Sequence, residues 1–222
     1  ASPASAALSA RLGRHRLIWL MIVVMLLGLA ATLPMSLAAV VGGVEADVLA
    51  RLAELELTPA NYNGAGQIVA AGALPALAAL TAEAPRGTRV VPLQVAGAFH
   101  TTYMEPARPA LRAAVEALVA GGKVADPTTP LWTNSDGTTV ASGARALELL
   151  VGQVAAPVRW DLCMQGFADA GITGLVELTP GGTLVGLAKR ALRGVPSVAV
   201  KTPDDLAAAV ALLTDSAPKD AS

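Results

Sequence analysis

NYNGAGQIVAAG, residues 61–72, holds the turn on which the fold rests. Asn-Tyr-Asn and the run from Gln67 to Gly72 read as two short strands. Gly64-Ala65-Gly66 lies between them, and such residues tolerate the backbone that a hairpin turn needs. Ahead of this hairpin, PMSLAAVVGG (34–43) reads as a strand closing on a Gly-Gly turn. EADVLARLAELE (45–56) follows as a helix, with apolar residues three and four apart. Behind the hairpin, ALPALAALTAEA (73–84) reads as a second helix. TRVVPLQVAG (88–97) is then a closing strand that carries Phe99 and His100 to its far end. The order is βαββαβ, the ferredoxin-like arrangement, and it places His100 where one domain hands the chain to the next.

After His100 the plan changes. MEPARPALRAAVEALVAGG (104–122) reads as a helix with Pro106 near its first turn, where a missing N–H is harmless. PTTPLWTNSDGTTV (127–140) holds a short strand and an Asp-Gly turn, and SGARALELLVGQVAAP (142–157) is a helix with Ser142 as N-cap. Then come RWDLCMQGFADAG (helix), TGLVELTP (strand), GGTLVGLAKRAL (helix), SVAVK (strand) and TPDDLAAAVALL (helix, capped by Thr202 or the acids). Strands alternating with helices predict a parallel sheet covered by helices. The strand entering Pro-Gly-Gly makes Thr183 and its neighbours a candidate anion-facing helix N-terminus. The expected division is an atypical segment 1–33, a small ferredoxin-like domain 34–98, and a second α/β domain 99–222.

The 222 residues carry a net charge of −1, with 16 Lys and Arg dispersed among 17 Asp and Glu, which argues against a nucleic-acid partner. One cysteine, Cys163, excludes an internal disulfide and fits a reducing compartment; its place in an amphipathic helix reads as a buried thiol rather than a nucleophile. The segment 1–33 stands apart. Arg11, Arg14, His15 and Arg16 precede a run without charge from Leu17 to Val44, interrupted by Pro34. Leu17–Leu33 reads either as a membrane contact or signal anchor, or as a buried helix.

Four stretches carry a resemblance, in order: TPANYNGAGQIVAAG (58–72), VVPLQVAGAFHTTYMEPA (90–107), LLVGQVAAPVRWDLCM (149–164) and VELTPGGTLVGLAKR (176–190). Together they resemble the malonyl-CoA:acyl-carrier-protein transacylases of fatty acid synthesis and the acyltransferase domains of polyketide synthases, with wording closest to the actinobacterial members. The resemblance implies an α/β fold in which the ferredoxin-like domain is inserted in a hydrolase-like parallel-sheet domain, here represented in part. It also implies cytoplasmic malonyl transfer from malonyl-CoA to acyl carrier protein, with no metal or redox cofactor. A serine on a Gly-x-Ser-x-Gly elbow forms a malonyl-enzyme, and the phosphopantetheine thiol on the carrier protein takes the acyl group.

Residue by residue, the match makes His100 the general base, oriented by the main-chain carbonyl of Gln153. Asn63 and Gln67 match polar residues of the acyl pocket, with hairpin chemistry as the competing reading. Lys189 and Arg190 match a basic patch for the acidic carrier protein, with a solvated helix C-terminus as the competing reading.

Two departures follow. No Gly-x-Ser-x-Gly occurs in the 222 residues, and the resemblance places that elbow N-terminal to them. Ser36, in PMSLA, has Pro34 and Ala38 where an elbow needs glycine, and reads as structural. The family's malonate-binding arginine falls in the helix before that strand; Arg16 is the nearest residue, at a different spacing. The expectation is a chain that supplies the base and part of the pocket and forms no acyl-enzyme alone. The rival expectation is a non-catalytic descendant, membrane-tethered or soluble, that binds carrier protein or coenzyme A without turnover. Whether the chain acts as an enzyme by itself stays open between them.

Overall fold

The computed structural model describes residues 35–95 and 97–215. The apolar segment 17–33 and Arg16 lie outside the described residues.

Strands β1 (Met35–Gly42), β2 (Thr58–Gly64), β3 (Gln67–Ala73) and β4 (Thr88–Leu93) form an antiparallel sheet in the order β4-β1-β3-β2. Helices α1 (Glu45–Glu54) and α2 (Leu74–Ala82) make the two crossovers, giving the ferredoxin-like βαββαβ unit expected from the hairpin. Strand alternation divides the sheet's side chains between two faces. Ala38, Val40, Ile68 and Ala70 face one core with Val48 and Leu52 of α1 and Leu77 and Leu80 of α2. Leu37, Ala60, Val69 and Ala71 face the opposite way, packed with Ala98 and Tyr103. Gly42, at φ +91°, turns the chain tightly out of β1; a Cβ there would meet the carbonyl oxygen of Gly87.

A fifth strand not anticipated from sequence, β5 (Val158–Arg159), joins the sheet edge parallel to β2, pairing Asn61 with Val158 and Tyr62 with Arg159. Arg159 lies over the Tyr62 ring at 4.8 Å and holds Asp161 through two bonds of 3.0 and 2.7 Å. The far part of the chain is thereby fastened to the ferredoxin-like unit.

The rest comprises α3 (Arg108–Ala120), α4 (Gly143–Gln153), α5 (Trp160–Asp169), β6 (Leu175–Glu177), α6 (Thr183–Ala191), β7 (Ser197–Ala199) and α7 (Leu206–Asp215). Strands β6 and β7 pair in parallel, as the alternating pattern predicts. Ser142 caps α4 by accepting from the Arg145 N–H, and Thr202 with Asp205 forms a capping box ahead of α7. Instead of a strand, residues 127–140 give a single bridge, Trp132 to Thr139.

The anion-facing reading of Thr183 is corrected. The Glu177 carboxylate reaches back and accepts from the backbone N–H of Gly182, Leu184 and Val185 at 2.8–3.0 Å, so the N-terminus of α6 is satisfied from within. Burial pushes the Glu177 carboxyl up, but these backbone hydrogen bonds outweigh it and hold the group below its ordinary range.

Candidate functional site

The closing strand stops earlier than the sequence suggests. β4 ends at Leu93, so the strand itself does not reach His100. Pro92 and Gly97 bracket the change. His100 takes φ +64°, a left-handed backbone uncommon outside glycine and held here from several sides. Its N–H donates to Val154 O at 3.1 Å. Thr101, only 1% exposed, anchors the next residue through a 2.6 Å bond from Oγ1 to Ala98 O. A short 3-10 turn, Thr102–Ala107, follows, and Met104 and Ala107 pack with Phe99 and Ala155.

His100 is thereby set against the C-terminal end of α4, where carbonyls lack intrahelical partners. Its Nδ1 lies 2.9 Å from Gln153 O. The Gln153 side chain, 5% exposed, fixes that end in turn: Nε2 donates to Ala156 O at 2.9 Å and Pro157 O at 2.8 Å. A carbonyl accepts and cannot donate, so Nδ1 carries the proton. In the neutral ring Nε2 then holds the lone pair, the state that can take a proton from a thiol or hydroxyl.

The other residues singled out from sequence form a separate group. Asn63 and Gln67, beside the β2–β3 turn, line a cavity of about 540 Å³ together with Asn61, Asn134, Thr183 and Trp160. Its floor is the second face of the sheet, from Leu37, Ala39 and Val69. Asn63 Nδ2 donates to Gln67 Oε1 at 3.5 Å, and Arg190 Nη2 donates to the same oxygen at 3.2 Å. Lys189 and Arg190 occupy the last turn of α6, both exposed. Neither His100 nor Gln153 lines this cavity. Asn61 escaped the sequence reading although it stands two residues from Asn63, the spacing that shares a strand face. Asn134 and Trp160 arrive from distant parts of the chain and left no local signal.

Cys163 is buried at 1% exposure, its Sγ 3.4 Å from Thr133 O, and burial pushes its thiol up to about 11. Such a thiol is a poor nucleophile at neutral pH. Among the described residues no group of three or more His, Cys, Asp or Glu could hold a metal ion, and no helix is long and apolar enough to cross a membrane.

A ferredoxin-like domain joined to parallel α/β structure, with an imidazole fixed at their junction, defines a two-part α/β protein. No protein-family model matches the chain. Malonyl CoA-acyl carrier protein transacylase of Mycobacterium tuberculosis is 52% identical over 176 residues, which cover 79% of this chain and 57% of that protein. A crystal structure of MCAT from Mycobacterium tuberculosis superposes with a TM-score of 0.75 at 48% identity, covering 83% of this chain and 59% of that one. A type II polyketide acyl-carrier protein in complex with its malonyl-transacylase gives a TM-score of 0.71 at 26% identity, covering 80% of this chain and 58% of that one. The chain belongs to the malonyl CoA-acyl carrier protein transacylase family and has its ferredoxin-like architecture together with part of its hydrolase-like one. It spans a little under three fifths of the length of these relatives.

Proposed function

We propose that these residues serve malonyl transfer from malonyl-CoA to acyl carrier protein in cytoplasmic fatty acid biosynthesis, with His100 as general base. The observation that carries this reading is the 2.9 Å contact between His100 Nδ1 and Gln153 O, which leaves Nε2 as the basic nitrogen. In each half-reaction Nε2 takes the proton of the attacking group, first the elbow serine and then the phosphopantetheine thiol. It returns that proton to the leaving thiolate of coenzyme A in the first half and to the serine oxygen in the second. The neutral carbonyl of Gln153 orients the ring, and thioester exchange, with its good leaving group, asks little more of it.

Asn63 and Gln67 line the acyl and pantetheine cleft in this reading, and Lys189 and Arg190 lie on the side offered to an acidic carrier protein. In this reading the described residues up to 98 belong to the small domain and those from 99 onward to the C-terminal part of the large one. The reaction calls on no metal or redox cofactor. The elbow serine is not among the 222 residues, so they supply base and cleft rather than nucleophile.

Incubation with radiolabelled malonyl-CoA, followed by equilibrium dialysis and denaturing electrophoresis, tests the reading. Reversible binding without covalent label is expected; stable label on a serine of the 222-residue chain, or no binding at all, overturns it.

A further inference from the structure

The Arg190 guanidinium crosses from the end of α6 to the β2–β3 hairpin, 123 positions back along the chain, to meet Gln67 Oε1 at 3.2 Å. Asn63 Nδ2 shares that oxygen at 3.5 Å, the outer limit for a hydrogen bond. Side-chain amides are usually ambiguous, since oxygen and nitrogen can exchange places with little change in shape. A guanidinium removes the ambiguity. It has donors only, so the Gln67 atom facing it is the oxygen. With Oε1 committed to Arg190, Gln67 keeps its two Nε2 donors, which make no hydrogen bond among the described residues, for whatever occupies the cavity it lines.

We propose that Arg190 is a positioning residue that locks the Gln67 amide as a donor toward the cleft. The cleft then favours ligands that present carbonyl acceptors at this point, such as the amides of a pantetheine chain. The inference rests on the reading of this cavity as the acyl and pantetheine cleft. It gives Arg190 a task distinct from charge attraction. An acidic carrier protein feels a surface arginine through its charge, whereas an uncharged ligand feels Arg190 only through the orientation of Gln67.

The test uses the full chain and pantetheine, a neutral probe, with binding followed by calorimetry and by tryptophan fluorescence, since Trp160 lines the same cavity. Arg190→Ala and Gln67→Ala are each expected to weaken pantetheine binding about three- to tenfold, the range of one neutral hydrogen bond. The double variant is expected to bind no more weakly than Gln67→Ala, because both changes remove one device. The Gln67 side-chain amide resonances are expected to shift in Arg190→Ala while the backbone spectrum of the folded chain persists.

Unchanged pantetheine affinity in Arg190→Ala, with only carrier-protein binding reduced, overturns the positioning role and leaves a docking residue. Additive losses in the double variant also overturn it. Failure of the unaltered chain to bind pantetheine overturns the reading of the cleft itself, and the proposal with it.

Discussion

His100 Nδ1 and Gln153 O stand 2.9 Å apart across 53 residues of sequence, and a second bond from the His100 N–H to Val154 O doubles the attachment. The pair joins the exit of the ferredoxin-like unit to the end of α4. Because the Gln153 side chain holds the turn beyond it, the orientation of the imidazole depends on a residue whose own side chain hydrogen-bonds to Ala156 O and Pro157 O.

That dependence is measurable. Gln153→Ala keeps the main-chain carbonyl but leaves Ala156 O and Pro157 O without their donor, at a cost of about 1–3 kcal/mol in unfolding free energy. Nitrogen-15 NMR of the unaltered chain is expected to show the neutral His100 ring protonated at Nδ1. In Gln153→Ala that tautomer is expected to lose its dominance.

Glu177 predicts an acid-sensitive α6. Its carboxyl lies below the ordinary value of 4.5 in the folded chain, so its contribution to stability is present above that value. The contribution is lost as pH falls through the folded value. Denaturant unfolding from pH 7 downward is expected to show Glu177→Gln destabilised at neutral pH. The gap from the unaltered chain should narrow steadily below about pH 4.5. A gap independent of pH would assign the loss to packing instead.

Gly137 sits in the Asp136-Gly137 turn at φ +74°, and a Cβ there would run into the backbone of Leu162 in α5. Gly137→Ala combines a left-handed penalty of about 1–2 kcal/mol with a collision against main chain that cannot rotate away. Chemical denaturation is expected to register a loss above 2 kcal/mol, roughly the left-handed term plus the clash.

Cys163 predicts slow chemistry. With its thiol pushed up to about 11 and its sulfur buried, alkylation by iodoacetamide at pH 7.5 should be slow in the folded chain and rapid once it is unfolded. Mass spectrometry of timed samples reads both rates.

The sequence carried the repeating elements well because their signals are local. Period-2 and 3.6-residue patterns marked the strands and helices of the βαββαβ unit, and Ser142 announced the start of α4 by its own side chain. What escaped depends on partners far along the chain. Two residues, Val158 and Arg159, are too few to show alternation, yet they pair with β2 because Tyr62 and Asp161 hold Arg159. Glu177 looked like an ordinary strand residue, and only the fold brings its carboxylate onto the N-terminus of α6, where an external anion had been expected. The bond from Arg190 to Gln67 was invisible for the same reason. His100 and Gln153 were paired through a family resemblance, since nothing in their spacing along the chain implies contact.

The most direct test joins the N-terminal portion of the Mycobacterium tuberculosis relative, up to the position matching Met35, to residues 35–222 and measures malonyl transfer to carrier protein. His100→Asn suits the comparison, because asparagine tolerates the left-handed backbone that position 100 requires. The account predicts an active chimera that loses about 10²–10⁴-fold of its rate in His100→Asn, the range for a general base, with the variant still folded. A folded His100→Asn chimera that transfers malonyl at the unaltered rate would contradict it.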